Sequence, residues 1–256
     1  MEATVGYEKE LQERVKQERA AVKLQSKLGQ LLYDKGVELV LFRNHLVDRT
    51  TSDILNLHEY SEKVVHRPID VYTTSSLAEE ILNLNIAPSK LDIGKLASEW
   101  LEEQSNFDSK ADFLNNKLGD FINVEKDQFE PRDVVLYGFG RIGRLAAREL
   151  IKQAGKGQQL RLRAIVTRNV SNEQIIKRAA LLRNDSVHND FKGTVTADVD
   201  NKAIIINGQI VKMIEASNPE DIDYTAYDIK NALIIDNTGA FTDKEALSRH
   251  LKAKGA

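Results

Sequence analysis

The chain has 256 residues, of which 41% are apolar and 29% charged, and a formal net charge of -3. Its length allows two compact units, its composition is that of a folded globular protein, and its weak charge supplies no field for nucleic acid or an anionic membrane surface. It has no cysteine, which excludes disulfides, thiolate metal sites and thiol nucleophiles among these residues.

The first segment is rich in charge and helix formers. Leu11, Val15 and Val22 form one apolar stripe and Leu24, Leu28 and Leu31 another, which predicts an amphipathic helix over residues 7–34 closing at Gly36. Residues 37–42, Val-Glu-Leu-Val-Leu-Phe, suit a short strand or a buried helical turn equally well. Serines that can accept from first-turn amides predict three more helices: Ser52 before residues 53–65, Ser76 before 77–84 and Ser89 before 92–104. Residues 1–130 therefore read as a mainly helical unit for packing or oligomerisation, with no site of its own.

The helical pattern breaks at residues 127–132, where Pro131 disfavours helix in the residue before it. Beyond this junction strand-length apolar runs alternate with helical patterns: strands at 134–137 and 160–167, helices at 142–154 and 171–182. That alternation predicts parallel βαβ units. Short strands at 194–196, 202–206 and 210–213 follow, with Asn207-Gly208 suited to a two-residue hairpin turn. A buried strand at 232–236 and a helix at 242–252 complete the pattern. The fold class is α/β: a helical N-terminal segment (residues 1–130), then an incomplete Rossmann-type domain (residues 131–256) with an antiparallel hairpin excursion.

Gly138-Phe139-Gly140-Arg141-Ile142-Gly143 places a G-x-G-x-x-G directly between a strand and a helix. In that setting the first glycine permits the tight turn, the second lets backbone approach a pyrophosphate, and the third lets helix and strand pack closely. The free amides of the first helical turn face the anion. An acid at the end of the second strand would bind the adenosine ribose of NAD, but here that strand ends Val166-Thr167-Arg168-Asn169. A hydroxyl followed by arginine tolerates a 2′-phosphate, so the cofactor is expected to be NAD or NADP.

At these residues the chain resembles the glyceraldehyde-3-phosphate dehydrogenase family. The likeness runs in order from Gly138-Phe139-Gly140-Arg141-Ile142-Gly143-Arg144 through Asp185-Ser186-Val187-His188, Ile205-Ile206-Asn207-Gly208 and Asn218-Pro219-Glu220-Asp221-Ile222 to Asn237-Thr238-Gly239-Ala240-Phe241. With the helical segment in front, it is similar to the long, N-terminally extended bacterial members. The resemblance implies that Arg141 and Ile142 offer backbone amides to the pyrophosphate, and that Thr238 and Gly239 line the nicotinamide side. Three positions depart from the family pattern: Tyr137 replaces an asparagine, Thr167 or Arg168 the ribose-binding aspartate, and Ser217 a frequent basic residue near the adenine.

The family's nucleophile is a cysteine in a later Ser-Cys-Thr-Thr-Asn segment, with a histidine further on. Neither falls within this sequence, so no catalytic residue is assigned and these residues alone are expected to be inactive; His188 lies in a stretch that is mainly structural in the family. By resemblance the function is that of the dinucleotide-binding part of an enzyme oxidising an aldehyde phosphate with NAD(P), homo-oligomeric when complete. The alternatives are an erythrose-4-phosphate dehydrogenase-like enzyme or a non-catalytic dinucleotide-binding or interaction module. With neither a signal-like start nor about 18 consecutive apolar residues, a cytoplasmic protein with no membrane partner is expected. The five histidines are too scattered for a metal-ligand pair at helical spacing, so no metal is expected either.

Overall fold

The computed structural model describes residues 2–66, 68–124, 131–153 and 160–256. The chain divides into two compact units, Met1–Asp127 and Gln128–Ala256. Most of the junction predicted at 127–132 falls in residues 125–130, outside the described residues.

Unit 1 is built on α1 (Glu2–Lys35), which starts ahead of the predicted 7–34. Leu24, Leu28 and Leu31 are buried, whereas Leu11, Val15 and Val22 are 39–56% exposed. Only the second stripe packs against α2 (Thr51–Val65) and α3 (Val71–Asn83). Gly36, at φ 69°, ends α1 and turns the chain into β1 (Val37–Leu41). The ambiguous segment is thus a strand, paired antiparallel with β2 (Asn44–His45) and parallel with β3 (Ser89–Asp92).

The predicted helix starts need correction, and the reason is the same each time. Aspartates and a threonine, rather than the serines, meet the free first-turn amides. Thr50 caps α2 and forms a reciprocal pair with Asp53, Asp70 caps α3, and Asp92 caps α4 (Ile93–Glu103). A carboxylate there both accepts the amide hydrogen bond and complements the helix dipole. Ser76 consequently lies inside α3, and residues 89–92 pair with β1 instead of starting a helix. A further helix, α5 (Lys110–Leu118), carries Phe113 into the core, where its ring stands edge-on to Trp100 and Phe107, both at 5.4 Å.

His58 is buried between α2 and α3. Its Nδ1 donates to the Ile54 carbonyl at 2.7 Å and its Nε2 accepts from the Thr74 hydroxyl at 2.8 Å. Burial pushes its pKa below the ordinary 6.5. The unfolded chain therefore binds the proton more readily than the folded one, and stability rises with pH through that window. Unit 1 is expected to be most stable above pH 6.5 and to weaken as pH falls below it. In urea titrations at stepped pH, His58→Gln should flatten that slope; an unchanged slope would assign it to other groups.

Unit 2 runs β4 (Arg132–Tyr137), α6 (Arg141–Gln153), β5 (Leu160–Thr167), α7 (Asn172–Arg183), β6 (Val195–Asp198), β7 (Ala203–Ile206), β8 (Gln209–Glu215), β9 (Leu233–Asp236) and α8 (Lys244–Leu247). The sheet order is β6-β7-β8-β5-β4-β9. Strands β8, β5, β4 and β9 are parallel, and β6, β7 and β8 form the antiparallel excursion. Its second turn is Asn207-Gly208, with φ 48° and 81°. Leu136 and Ile165 pack against α6 and α7 on one face, while Val135, Ala164 and Val166 join Tyr224 and Ile229 on the other. Burial on both faces is what such continuous apolar strands require.

Two helix ends differ from the predicted ones. Residue 154 lies outside the described residues, and the helix predicted at 242–252 is the four-residue α8 followed by a tighter 3-10 turn at Ser248–Lys252. Within that turn His250 is buried, with Nε2 2.9 Å from the Asp236 carboxylate.

Candidate dinucleotide site

The site begins where β4 ends. Gly138 turns at φ 94°, and its N–H donates to the Val166 carbonyl at 2.9 Å, tying the loop to β5. A Cβ on Gly138 would stand 2.9 Å from Thr238 Cγ2, and one on Gly143 would stand 2.7 Å from the Gly138 carbonyl oxygen. A Cβ on Gly140 would meet nothing within 4 Å. Two of the glycines are therefore demanded by the protein's own packing, and the third leaves a bare backbone facing open space. The first helical bond of α6 runs from Arg144 N–H to the Gly140 carbonyl at 3.1 Å. The amides of Arg141, Ile142 and Gly143 precede it and have no intrahelical acceptor.

Above this loop lies a cleft of about 350 Å³ along the carboxyl ends of the parallel strands. Ala216 and Ser217 follow β8, Thr167 and Arg168 end β5, Gly138 to Gly140 follow β4, and Thr238 follows β9. Since β4 connects outward to β5 on one side and takes β9 on the other, the cleft sits where the strand order reverses, which is where open α/β sheets bind ligands.

Of the residues singled out in the sequence, Gly138, Phe139, Gly140, Thr167, Arg168 and Thr238 line the cleft. Arg141, Ile142, Gly143 and Gly239 do not. Ile142 is 65% exposed and Arg141 also projects to solvent, so what either offers the cleft is backbone. Gly239, at φ 69°, continues the turn from Thr238. Asp236 builds that turn, accepting from the Thr238 amide and hydroxyl, both at 2.7 Å. The Thr238 hydroxyl oxygen accepts in turn from the Ala240 amide at 3.1 Å.

Thr167 is buried, and its hydroxyl donates to the Asn169 carbonyl at 3.1 Å. That bond uses the hydroxyl's proton and leaves its oxygen able to accept. Arg168 is exposed and, among the described residues, makes no hydrogen bond or ion pair. Tyr137, at the departure from asparagine, lines the cleft with Phe241 and stands edge-on to His250 at 4.7 Å. Burial, and next the Asp236 charge, raise the pKa of its phenol.

Sequence reasoning missed Arg178. It lies on α7 at the edge of the stripe formed by buried Ile175, Ala179 and Leu182, and its side chain reaches the cleft. An arginine three residues after one buried position and one before another was the available signal. Asp185, by contrast, serves the scaffold. Its carboxylate accepts from the His188 amide at 2.9 Å and the Val187 amide at 3.0 Å, which hold it below the usual carboxylate range. His188 contributes its backbone to that turn and lies outside the cleft.

Residues 132–244 match the family model for the glyceraldehyde 3-phosphate dehydrogenase NAD binding domain. The chain belongs, through this domain, to the glyceraldehyde-3-phosphate dehydrogenase family. A glyceraldehyde-3-phosphate dehydrogenase-like protein of Pseudomonas aeruginosa is 40% identical over 234 residues, which are 89% of this chain and 50% of that protein. The glyceraldehyde-3-phosphate dehydrogenase of Monascus purpureus is 33% identical over 119 residues, 46% of this chain and 32% of the relative. That of Streptococcus pyogenes is 33% identical over 123 residues, 48% and 33% respectively. The chain thus spans half the length of the first relative and about a third of the other two. The first match is longer than either unit, so it takes in residues from the helical unit too.

Proposed function

We propose that unit 2 holds NAD(P) across the cleft, as the dinucleotide-binding part of an oxidoreductase that oxidises an aldehyde phosphate to an acyl phosphate. The observation that carries this is the division of labour among the glycines: Gly138 and Gly143 are closed in by backbone, while Gly140 faces open space beside the free amides of α6. That arrangement fits a pyrophosphate, which needs backbone approach and several N–H donors at once. Arg141, Ile142 and Gly143 would supply the amides. Thr238 and Gly239 would border the nicotinamide, and Thr167 and Arg168 the adenosine ribose. When bound, NAD(P) supplies the hydride acceptor; this chain's residues orient it and exclude water. Titration calorimetry of the chain with NAD and NADP tests the reading, and no heat with either would reject it.

No residue here is assigned the chemical step. The family's thiol nucleophile has no counterpart in a sequence without cysteine. The purified chain, given glyceraldehyde 3-phosphate, phosphate and either cofactor, is therefore expected to form no reduced nicotinamide. Turnover that persisted after removal of contaminating enzyme would overturn that placement of the chemistry. The same lack of a thiol favours, for the chain alone, the second reading of a dinucleotide-binding module without catalysis. Among the described residues no helix is long and apolar enough to cross a membrane. A cytoplasmic location, and homo-oligomers of the whole protein, belong to the proposal.

A further inference from the structure

The residues lining the cleft include two arginines, Arg168 and Arg178, and no acid. A cleft that binds NAD through its ribose hydroxyls ordinarily presents a carboxylate at the end of the second strand, and that carboxylate also repels a 2′-phosphate. Here β5 ends at Thr167, and Arg168 follows it. The Thr167 hydroxyl at that point gives its proton to the Asn169 carbonyl and carries no charge that would repel a phosphate. Arg168 is unpaired among the described residues. Arg178 is half-buried, and its one hydrogen bond, from Nη1 to Gln174 Oε1 at 3.0 Å, goes to a neutral amide. Among the described residues no carboxylate neutralises it. A half-buried guanidinium without a counter-ion is costly, and desolvation pushes its pKa down.

An anion entering the cleft would relieve that cost. Ser217, where the family pattern often has a basic residue, lines the same wall and leaves it one hydroxyl donor in place of a long side chain. Arg168 stands just past the end of β5 and Arg178 midway along α7, which packs on β6 and β7; both are on the β8 side of the glycine loop, whereas Thr238 marks the opposite, β9 side. A ligand whose pyrophosphate lies on the glycine loop therefore presents its adenosine to the arginines.

We infer that Arg178 and Arg168 together form a receptor for a phosphate on the adenosine 2′-oxygen, making NADP the preferred ligand, with Arg178 the specificity-determining arm. This rests on the dinucleotide reading above. Arg178 suits the role because its guanidinium is planar, permanently charged and already held through one Nη by Gln174, so little is lost in ordering it. Arg168, being exposed, contributes through a more screened contact.

The test is calorimetry on the whole chain with four probes: NADP, NAD, adenosine 2′,5′-bisphosphate and adenosine 5′-monophosphate. The 2′-phosphorylated member of each pair is expected to bind about tenfold or more tightly, an advantage that shrinks as salt rises. Arg178→Leu should weaken the 2′-phosphorylated probes by about ten- to a hundredfold and the other two far less. Arg168→Ala should do the same to a smaller degree. If Arg178→Leu lowers the melting temperature of the ligand-free chain, Arg178→Lys takes its place and should retain part of the preference. Equal affinities for NADP and NAD in the unmodified chain, or an Arg178 variant that weakens all four probes alike, would overturn the inference while leaving the dinucleotide site standing. Failure of both NAD and NADP to bind would remove the site and the inference together.

Discussion

Replacing Gly143 by alanine is expected to destabilise unit 2 by about 1–3 kcal/mol, because the new Cβ would press on the Gly138 carbonyl oxygen from 2.7 Å. Backbone meets backbone there, so relief requires moving α6 away from β4, and the cofactor affinity should fall with it. Gly140→Ala is the informative counterpart. Its Cβ would meet no protein atom within 4 Å, so stability should change by less than about 0.5 kcal/mol. The methyl would instead occupy the approach proposed for the pyrophosphate, weakening NAD(P) by about 1–3 kcal/mol, or roughly 5- to 150-fold. Thermal denaturation and calorimetry on both variants separate the two effects. A Gly140→Ala variant that binds as well as the unmodified chain would place the pyrophosphate elsewhere.

The second large effect is expected in unit 1. Phe113 is fully buried and stands edge-on to two other rings at 5.4 Å, so Phe113→Ala should cost about 3–5 kcal/mol in lost burial and cavity. Trp100, one of those rings, is the chain's sole tryptophan, and its fluorescence reports the loss directly in a urea titration. Leu11→Ala is the control. At 45% exposure its removal should cost no more than about 0.5 kcal/mol. Comparable losses in the two variants would mean that the outer stripe of α1 is covered in solution.

The dinucleotide loop was legible in the sequence because its constraints are local. Gly138, Gly140 and Gly143 are separated by fixed steps between an apolar run and an amphipathic one; Gly138 makes the turn, Gly143 lets helix and strand close together, and Gly140 is left facing open space. Asn207-Gly208 was legible for the same reason: two consecutive positive φ values are a demand on residue type. Residues 37–42 were not, since five apolar or β-branched positions satisfy a strand and a buried helix alike, and only pairing with residues 89–92 decides between them. The unit 1 caps were misplaced because serine was sought where Asp70 and Asp92 compete better for free amides. Arg178 escaped notice because its spacing from Ile175 and Ala179 marks only a half-buried side chain; that it borders the cleft follows from the packing of α7 and not from its neighbours along the chain.

The strand order also bears on how the domain is made. Val134 of β4 pairs with Leu233 of β9, 99 residues later in the chain. On a ribosome adding about 5–20 residues per second, that edge of Val134-Val135-Leu136-Tyr137 waits roughly 5–20 s for its partner after it is synthesised. During that interval it is a flat, apolar, uncharged template of the kind other chains pair with. The glycine loop is in the same position, since Gly138 is braced by Thr238, which arrives later still. Completion of the cleft is therefore a late event in biosynthesis, and one edge of β4 stays open to mispairing until then.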